Sequence, residues 1–200
     1  MTPSDATTGA PDPGGAARPH GAKHPVTART KARRRAVEIL FEADQRGLLR
    51  DERGGAPGRD EYPARGEHDE YGGRAGDRAE ESGAARALRD LAVERAEHSA
   101  NHTPAPAYAR EILAGVADHL AEVDEAIETY AQGWALARMP AVDRAIARVA
   151  TWEIVWNDDV DVPVAVDEAI TLARMLSTDD SPRYLSGLLG RIGDLADTLR

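Results

Sequence analysis

The sequence predicts an all-α bundle of about six or seven helices, and three observations carry that expectation. Apolar residues recur at spacings of three and four through successive stretches, as on a helix with one buried stripe. Pro140 and Pro163 each stand at the head of such a stretch, where the missing N–H would be unpaired anyway. No segment alternates apolar and polar residues between turn signals, as a half-buried strand would.

Taken in order, residues 1 to about 28 are rich in Pro, Gly, Ala, Thr and Ser without periodicity and read as a disordered tail. The first helix is expected within 29–49, with Ala36, Val37, Leu40, Phe41 and Leu48 on one stripe and Gly47 as its ending. From 50 to 83 there are eight glycines, two prolines and mixed charge with almost nothing apolar. Such a stretch cannot bury enough surface to offset the entropy of ordering it, so 50–84 is predicted to be a flexible insertion. The remainder, 85–200, resumes the helical domain. ARALRDLAVERAEH offers Leu88, Leu91 and Ala92 as a short, weak helix that ends before Pro104 and Pro106. YAREILAGVADHLAEVDEAIETYAQ places Ile112, Val116, Leu120, Val123, Ile127 and Tyr130 on one continuous amphipathic helix. AVDRAIARVATWEIVWN, VAVDEAITLARMLS and RYLSGLLGRIGDLADTL supply the last three helices, separated by the polar turns NDDVDVP and STDDSP.

Composition narrows the class. The chain has 200 residues, 42% of them apolar, but aromatics reach only 4%, and 18 glycines and 12 prolines point to one globular part sharing the chain with unstructured segments. No cysteine is present, which excludes a disulfide framework, a thiolate metal site and a thiol nucleophile. The N-terminus lacks the hydrophobic run of a signal peptide, and no window of about 18 apolar residues exists, so a cytoplasmic protein without a membrane segment is expected.

Charge is the most informative property. The formal net charge is -10, yet between Pro13 and Val37 there is no acidic residue, while Arg18, Lys23, Arg29, Lys31, Arg33, Arg34 and Arg35 all fall there. Cations at a helix start oppose the macrodipole and cost about 0.3–1 kcal/mol each. Lys31, Arg33, Arg34 and Arg35 are therefore expected to serve a phosphate-binding arm rather than the helix. Neutralised phosphates release counterions, and the free N–H groups of a helix start aim at the same anion. Charge of this kind supplies affinity without sequence choice. A specificity element must lie elsewhere.

Enzymatic and metal motifs are missing. GGAPG and GGRAG lack the Lys-Ser or Lys-Thr of a phosphate loop. His98 and His102 have a metal-pair spacing, but their segment runs into Asn101, Thr103 and Pro104, and solvated surface is the better expectation. His20 and His24 fall in the tail. Asp158, Asp159 and Asp161 lack the glycine and terminal Glu of a calcium loop and read as helix-capping carboxylates. No enzyme, cofactor or metal is expected.

KARRRAVEILFEAD, AVDRAIARVATWEIVWNDDVDVPVAVDEAITLAR and STDDSPRYLSGLLGRI, in this order, resemble the most recognisable stretches of the bacterial transcription antitermination factor NusB family. GWALARMP is similar to the lead-in of its actinobacterial members. The resemblance implies a two-subbundle, non-enzymatic helical fold that binds boxA single-stranded RNA together with the ribosomal protein NusE. The complex would join RNA polymerase, with other Nus factors, to suppress premature termination during ribosomal RNA synthesis. Carried over residue by residue, Arg29, Lys31, Arg33, Arg34 and Arg35 fall on the arginine-rich arm and Phe41 on an aromatic of the first helix. Tyr184 takes the place of an aromatic beside the RNA, flanked by Asp180 and Arg183. The family includes monomers and homodimers. Where its pattern is Phe-Val-Asn-Gly, this chain has Tyr184, Leu185, Ser186 and Gly187, with the Ser186 hydroxyl in place of that Asn amide.

Tyr184 has a case of its own. Single-stranded RNA is read by bases resting on aromatic faces, each contributing about 1–3 kcal/mol, and an aromatic next to Arg183 at a helix start is a sensible platform; packing in the core is its alternative. Trp134, Trp152 and Trp156 read as core or partner-facing. Glu153 lies near the apolar stripe of its helix and should pair with a cation, for which Arg148 and Arg183 are the candidates. Two other functions stay open: a helical module of an RNA methyltransferase system, and a protein scaffold that binds no RNA.

Overall fold

A computed structural model describes residues 26–49, 82–97, 104–132 and 136–200, and among them only helices occur. They are α1 (Ala28–Gln45), α2 (Gly83–Glu97), α3 (Ala107–Asp118), α4 (Leu120–Tyr130), a single 3₁₀ turn (Leu136–Arg138), α5 (Ala141–Trp156), α6 (Val162–Leu176), α7 (Ser181–Gly193) and α8 (Ala196–Leu199). Most of the predicted tail and of the predicted insertion, with His98, His102 and Trp134, lie outside the described residues, while α1 starts at Ala28, within the stretch read as tail.

The architecture is all-α, as predicted, with α5 at its centre. It packs against α1 and α3 on one side, which with α2 form one subbundle, and against α4, α6 and α7 on the other. From Ala145 to Val155 every residue of α5 is buried, which a one-stripe expectation does not anticipate. The core includes Leu40, Leu88, Ile112, Ile127, Ile146, Leu172, Leu185 and Leu188, and full burial of such a side chain stabilises the fold by about 1.5–3 kcal/mol. The last helix expected from RYLSGLLGRIGDLADTL is corrected, since α7 ends at Gly193 and α8 follows as a separate turn: Leu185, Leu188, Leu189 and Ile192 are buried, whereas Leu195 between the two helices is exposed.

Local signals set the ends. Thr27 caps α1: its Oγ1 accepts from the Thr30 N–H at 3.0 Å, and Thr30 Oγ1 accepts from the Thr27 N–H at 3.2 Å, a reciprocal box with Thr in the place usually taken by Glu or Gln. At the other end Gly47 adopts φ 73°, and Leu48 N–H bonds to Ala43 O while Gly47 N–H bonds to Asp44 O, the αL termination that glycine permits. Ser82 Oγ accepts from Ala85 N–H at 3.1 Å and starts α2 inside the stretch read as insertion.

The single long helix expected from Tyr108 to Gln132 is corrected: it breaks at His119, whose backbone leaves the helical region (φ -121°, ψ 25°). Its apolar period continues across the break, so periodicity alone cannot reveal it. The cause lies in α5. A Cβ built on Gly115 would sit 2.1 Å from the indole of Trp152, and the His119 ring stacks on Trp156 with centroids 4.6 Å apart. Thus α3 and α4 bend around two tryptophans. The capping role expected of the Asp158–Asp161 turn is corrected too. Asp161 stands at the N-cap of α6 without a side-chain cap bond, and the turn is organised by Asn157, whose Oδ1 accepts from Asp159 N–H at 3.0 Å.

Candidate functional site

α1 begins with the basic arm, and its helical turn sorts the cations into different environments. Lys31 and Arg34 point outward with Phe41, at helical spacings along one exposed stripe. Phe41 is 36% exposed, unusual for a residue of its size. Arg35 is half-buried, and both it and Arg34 pair with Glu38 one turn on, at 3.3 and 3.0 Å. Arg29 is exposed, with its guanidinium 4.9 Å from the centroid of the Tyr108 ring and an Nη1 hydrogen bond to Asp159 O at 3.4 Å.

Arg33 corrects the expectation that the arm's cations do not serve the helical body. Its side chain is 2% exposed and Glu153 is 1% exposed. Arg33 Nε donates to both carboxylate oxygens of Glu153, at 2.9 and 3.0 Å, and Nη1 lies 3.4 Å from Glu168 Oε1. Thr30 Oγ1 donates to the same Glu168 oxygen at 3.1 Å. Tyr108 lies beneath the guanidinium, 5.4 Å from its ring centroid, and its hydroxyl donates to Glu153 Oε1. Burial pushes the Glu153 carboxyl up, with the Arg33 hydrogen bond and charge opposing it. Burial also pushes the Tyr108 hydroxyl up, and the Glu153 carboxylate adds to that. For Arg33, burial works against its charge, but the hydrogen bond and charge of Glu153 hold it protonated above its ordinary value.

The partner of Glu153 is therefore Arg33, not Arg148 or Arg183. Arg148 lies five residues earlier on α5, roughly 140° around the helix, and faces α4, where Nε and Nη2 donate to Asp124 at 2.7 and 2.8 Å. Arg183 is exposed at the start of α7. Tyr108, Glu168 and Thr30 were not singled out by sequence reasoning. Only the T-x-x-T spacing of the cap carried a local signal; the others meet through the fold.

At the start of α7 a second group forms. Buried Asp143, near the start of α5, accepts from Ser181 Oγ at 2.7 Å, and Thr178 Oγ1 lies 2.8 Å from Ser181 Oγ. Tyr184 is half-buried and packs against the core, and burial pushes its hydroxyl up, with Arg191 opposing and Asp143 adding to the shift. Asp180, Arg183 and Ser186 are exposed. Arg183 and Ser186, with Arg174, Ser177, Thr178 and Asp179, line an open groove of about 480 Å³.

The two groups stand at opposite ends of α5. Arg33 meets Glu153 near its C-terminus, while Asp44, at the end of α1, pairs with Arg144 near its N-terminus, so α1 and α5 run antiparallel. Ten residues from Asp143 to Glu153 span about 15 Å of helix axis. Phe41, in the last turns of α1, lies toward the Asp143 end.

Comparison with known proteins agrees across most of the chain. The family model described as the NusB family matches residues 75–194. The transcription antitermination protein NusB of Beutenbergia cavernae is 46% identical over 175 residues, covering 88% of this chain and 95% of its own. The protein of that name from Leifsonia xyli subsp. xyli is 44% identical over 84% of this chain and 92% of its own. A solved structure of T. maritima NusB superposes with a TM-score of 0.54 at 23% identity, covering 84% of this chain and 92% of that one, and so shares the fold.

Proposed function

From the premise that this chain belongs to the NusB family, we propose that it acts in transcription antitermination by binding boxA-type single-stranded RNA. It does so jointly with the ribosomal protein NusE. The complex joins elongating RNA polymerase and other Nus factors in the cytoplasm and sustains ribosomal RNA synthesis. The function is one of binding, without catalysis.

One observation carries this reading: α1 displays Lys31, Arg34 and Phe41 on a single outward stripe, setting cations against the helix dipole and leaving an aromatic in solvent. Lys31, Arg29, Arg34 and Arg35 hold phosphates. Phe41 and the exposed part of Tyr184 receive bases, with Asp180 and Arg183 beside the latter. Arg33 takes a different part from the one its sequence position suggests: it fixes the root of the arm by its pair with Glu153.

The test is a titration of the full chain with boxA RNA and with a scrambled RNA, with and without NusE, across a salt series. Lys31→Ala and Arg34→Ala should each flatten the dependence of log affinity on log salt by about 0.7, the increment for one phosphate of a single strand. Equal affinity for the scrambled RNA in the presence of NusE overturns the proposal.

A further inference from the structure

The stretch without acids ends at Glu38, and the fold sets this first carboxylate against the arm itself. Glu38 Oε1 accepts from Arg34 Nε at 3.0 Å and Oε2 lies 3.3 Å from Arg35 Nη1, with the Glu38 side chain 42% exposed. On the outer stripe of α1 the order is Lys31, Arg34, Glu38, Phe41. Residues three and four apart are surface neighbours on a helix, so the carboxylate lies between the outward cations and the exposed aromatic. The arrangement adds little to the helix, because a cation N-terminal to its carboxylate is the weaker orientation of such a pair. Its effect falls on whatever approaches from outside.

A strand whose phosphates engage Arg34 and Arg35 must displace Glu38 and leave its charge beside the new anions. For charge alone, one anion replaces another and little is gained. A strand recovers the loss only by giving the displaced carboxylate a donor. A base resting on Phe41 brings its edge next to Glu38, and carboxylates accept from base amino groups, as they do from the N4 amino group of cytosine. We propose that Glu38 is the specificity-determining residue of the arm: it weakens the hold on any polyanion and restores it to single-stranded RNA whose base at Phe41 carries an amino group, in preference to uracil. This rests on the RNA reading above.

The experiment titrates the full chain, its Glu38→Gln variant and its Glu38→Ala variant with three ligands across a salt series. The ligands are the boxA RNA of the proposed function, oligo-uridine of the same length, and inorganic polyphosphate, which has the charge without bases. Both variants should bind oligo-uridine and polyphosphate about tenfold more tightly at low salt, with a salt slope steeper by about 0.7 for each arginine released. Their preference for boxA RNA over oligo-uridine should fall by about tenfold, the worth of one such contact in base discrimination. Unchanged affinity for oligo-uridine and polyphosphate overturns the inference. Equal tightening for all three ligands overturns it as well, because Glu38 would then act on charge without selecting. A wild-type chain that fails to prefer boxA RNA with NusE present refutes the function itself; a wild-type preference that survives both substitutions refutes only the role of Glu38.

Discussion

Arg33 occupies a position where its loss would be more costly than its presence is beneficial. With Nε on both oxygens of Glu153 and both side chains nearly inaccessible, the pair is balanced against the desolvation of two ions, and such pairs are often matched by well-packed apolar residues. Removing one partner is different. Arg33→Ala should destabilise the free protein by about 3–5 kcal/mol in urea unfolding, because Glu153 is left charged and buried. The pH dependence has a definite sign. Burial raises the Glu153 carboxyl even with Arg33 present, and without Arg33 it rises further. A carboxyl raised in the folded state contributes stability below its unfolded pKa and loses it as pH rises through the folded value. The deficit of Arg33→Ala should therefore shrink as pH is lowered from neutrality toward the unfolded carboxyl value of about 4.3. A deficit below about 1 kcal/mol, or one that grows on acidification, refutes the buried-pair account. The consequence for function is direct: weaker RNA binding by Arg33→Ala counts for the arm only after unfolding has been excluded, whereas among the described residues exposed Lys31 carries no buried pair and Arg34 pairs only with half-exposed Glu38.

At the level of elements, α1 and α2 are tied by Glu42 and Arg95, with Nε to Oε2 at 2.8 Å and Nη2 to Oε1 at 2.6 Å. The Arg95 hydrogen bond holds the Glu42 carboxyl below its ordinary value, burial opposing, with the charges of Arg95 and Arg46 adding to it. A depressed carboxylate contributes stability above its unfolded pKa and loses it as pH falls through the folded value. Glu42→Gln should cost about 0.5–1 kcal/mol at neutral pH, since the pair is partly solvated. The gap to the wild type should close as acid protonates Glu42, and urea unfolding across a pH series would reveal a constant gap if the tie were not electrostatic. Such ties also explain what the sequence made legible. Helix stripes such as Leu185, Leu188, Leu189 and Ile192 are local and were readable, as was the stop at Gly47. The bend at His119 was not, because its causes, Trp152 and Trp156, reside on another helix. The separation of Arg33 from its neighbours was hidden for the same reason. Four adjacent cations look alike as charge, and only the helical turn together with Glu153 from α5 distinguishes the buried one.

At the scale of the whole molecule, the sequence singles out the arm and the start of α7 as candidates but does not show the distance between them. The arm and the start of α7 are held apart by α5, about 15 Å along its axis from Asp143 to Glu153, and each half is anchored to α5 by its own polar contacts. Substitutions separated by more than about 7–10 Å without shared partners add within about 0.3–0.5 kcal/mol. Under the proposed function, one extended strand engages both ends, so Lys31→Ala and Tyr184→Ala should weaken binding of a full-length boxA RNA additively, Tyr184→Ala by about 1–3 kcal/mol if a base stacks there. Shortening the RNA separates the ends. An oligonucleotide trimmed from one side should lose its sensitivity to one substitution while keeping the other, and trimming from the opposite side should reverse the pattern. If every shortened RNA responds to both substitutions alike, the two ends do not divide one strand between them, and the bundle does not act as a spacer.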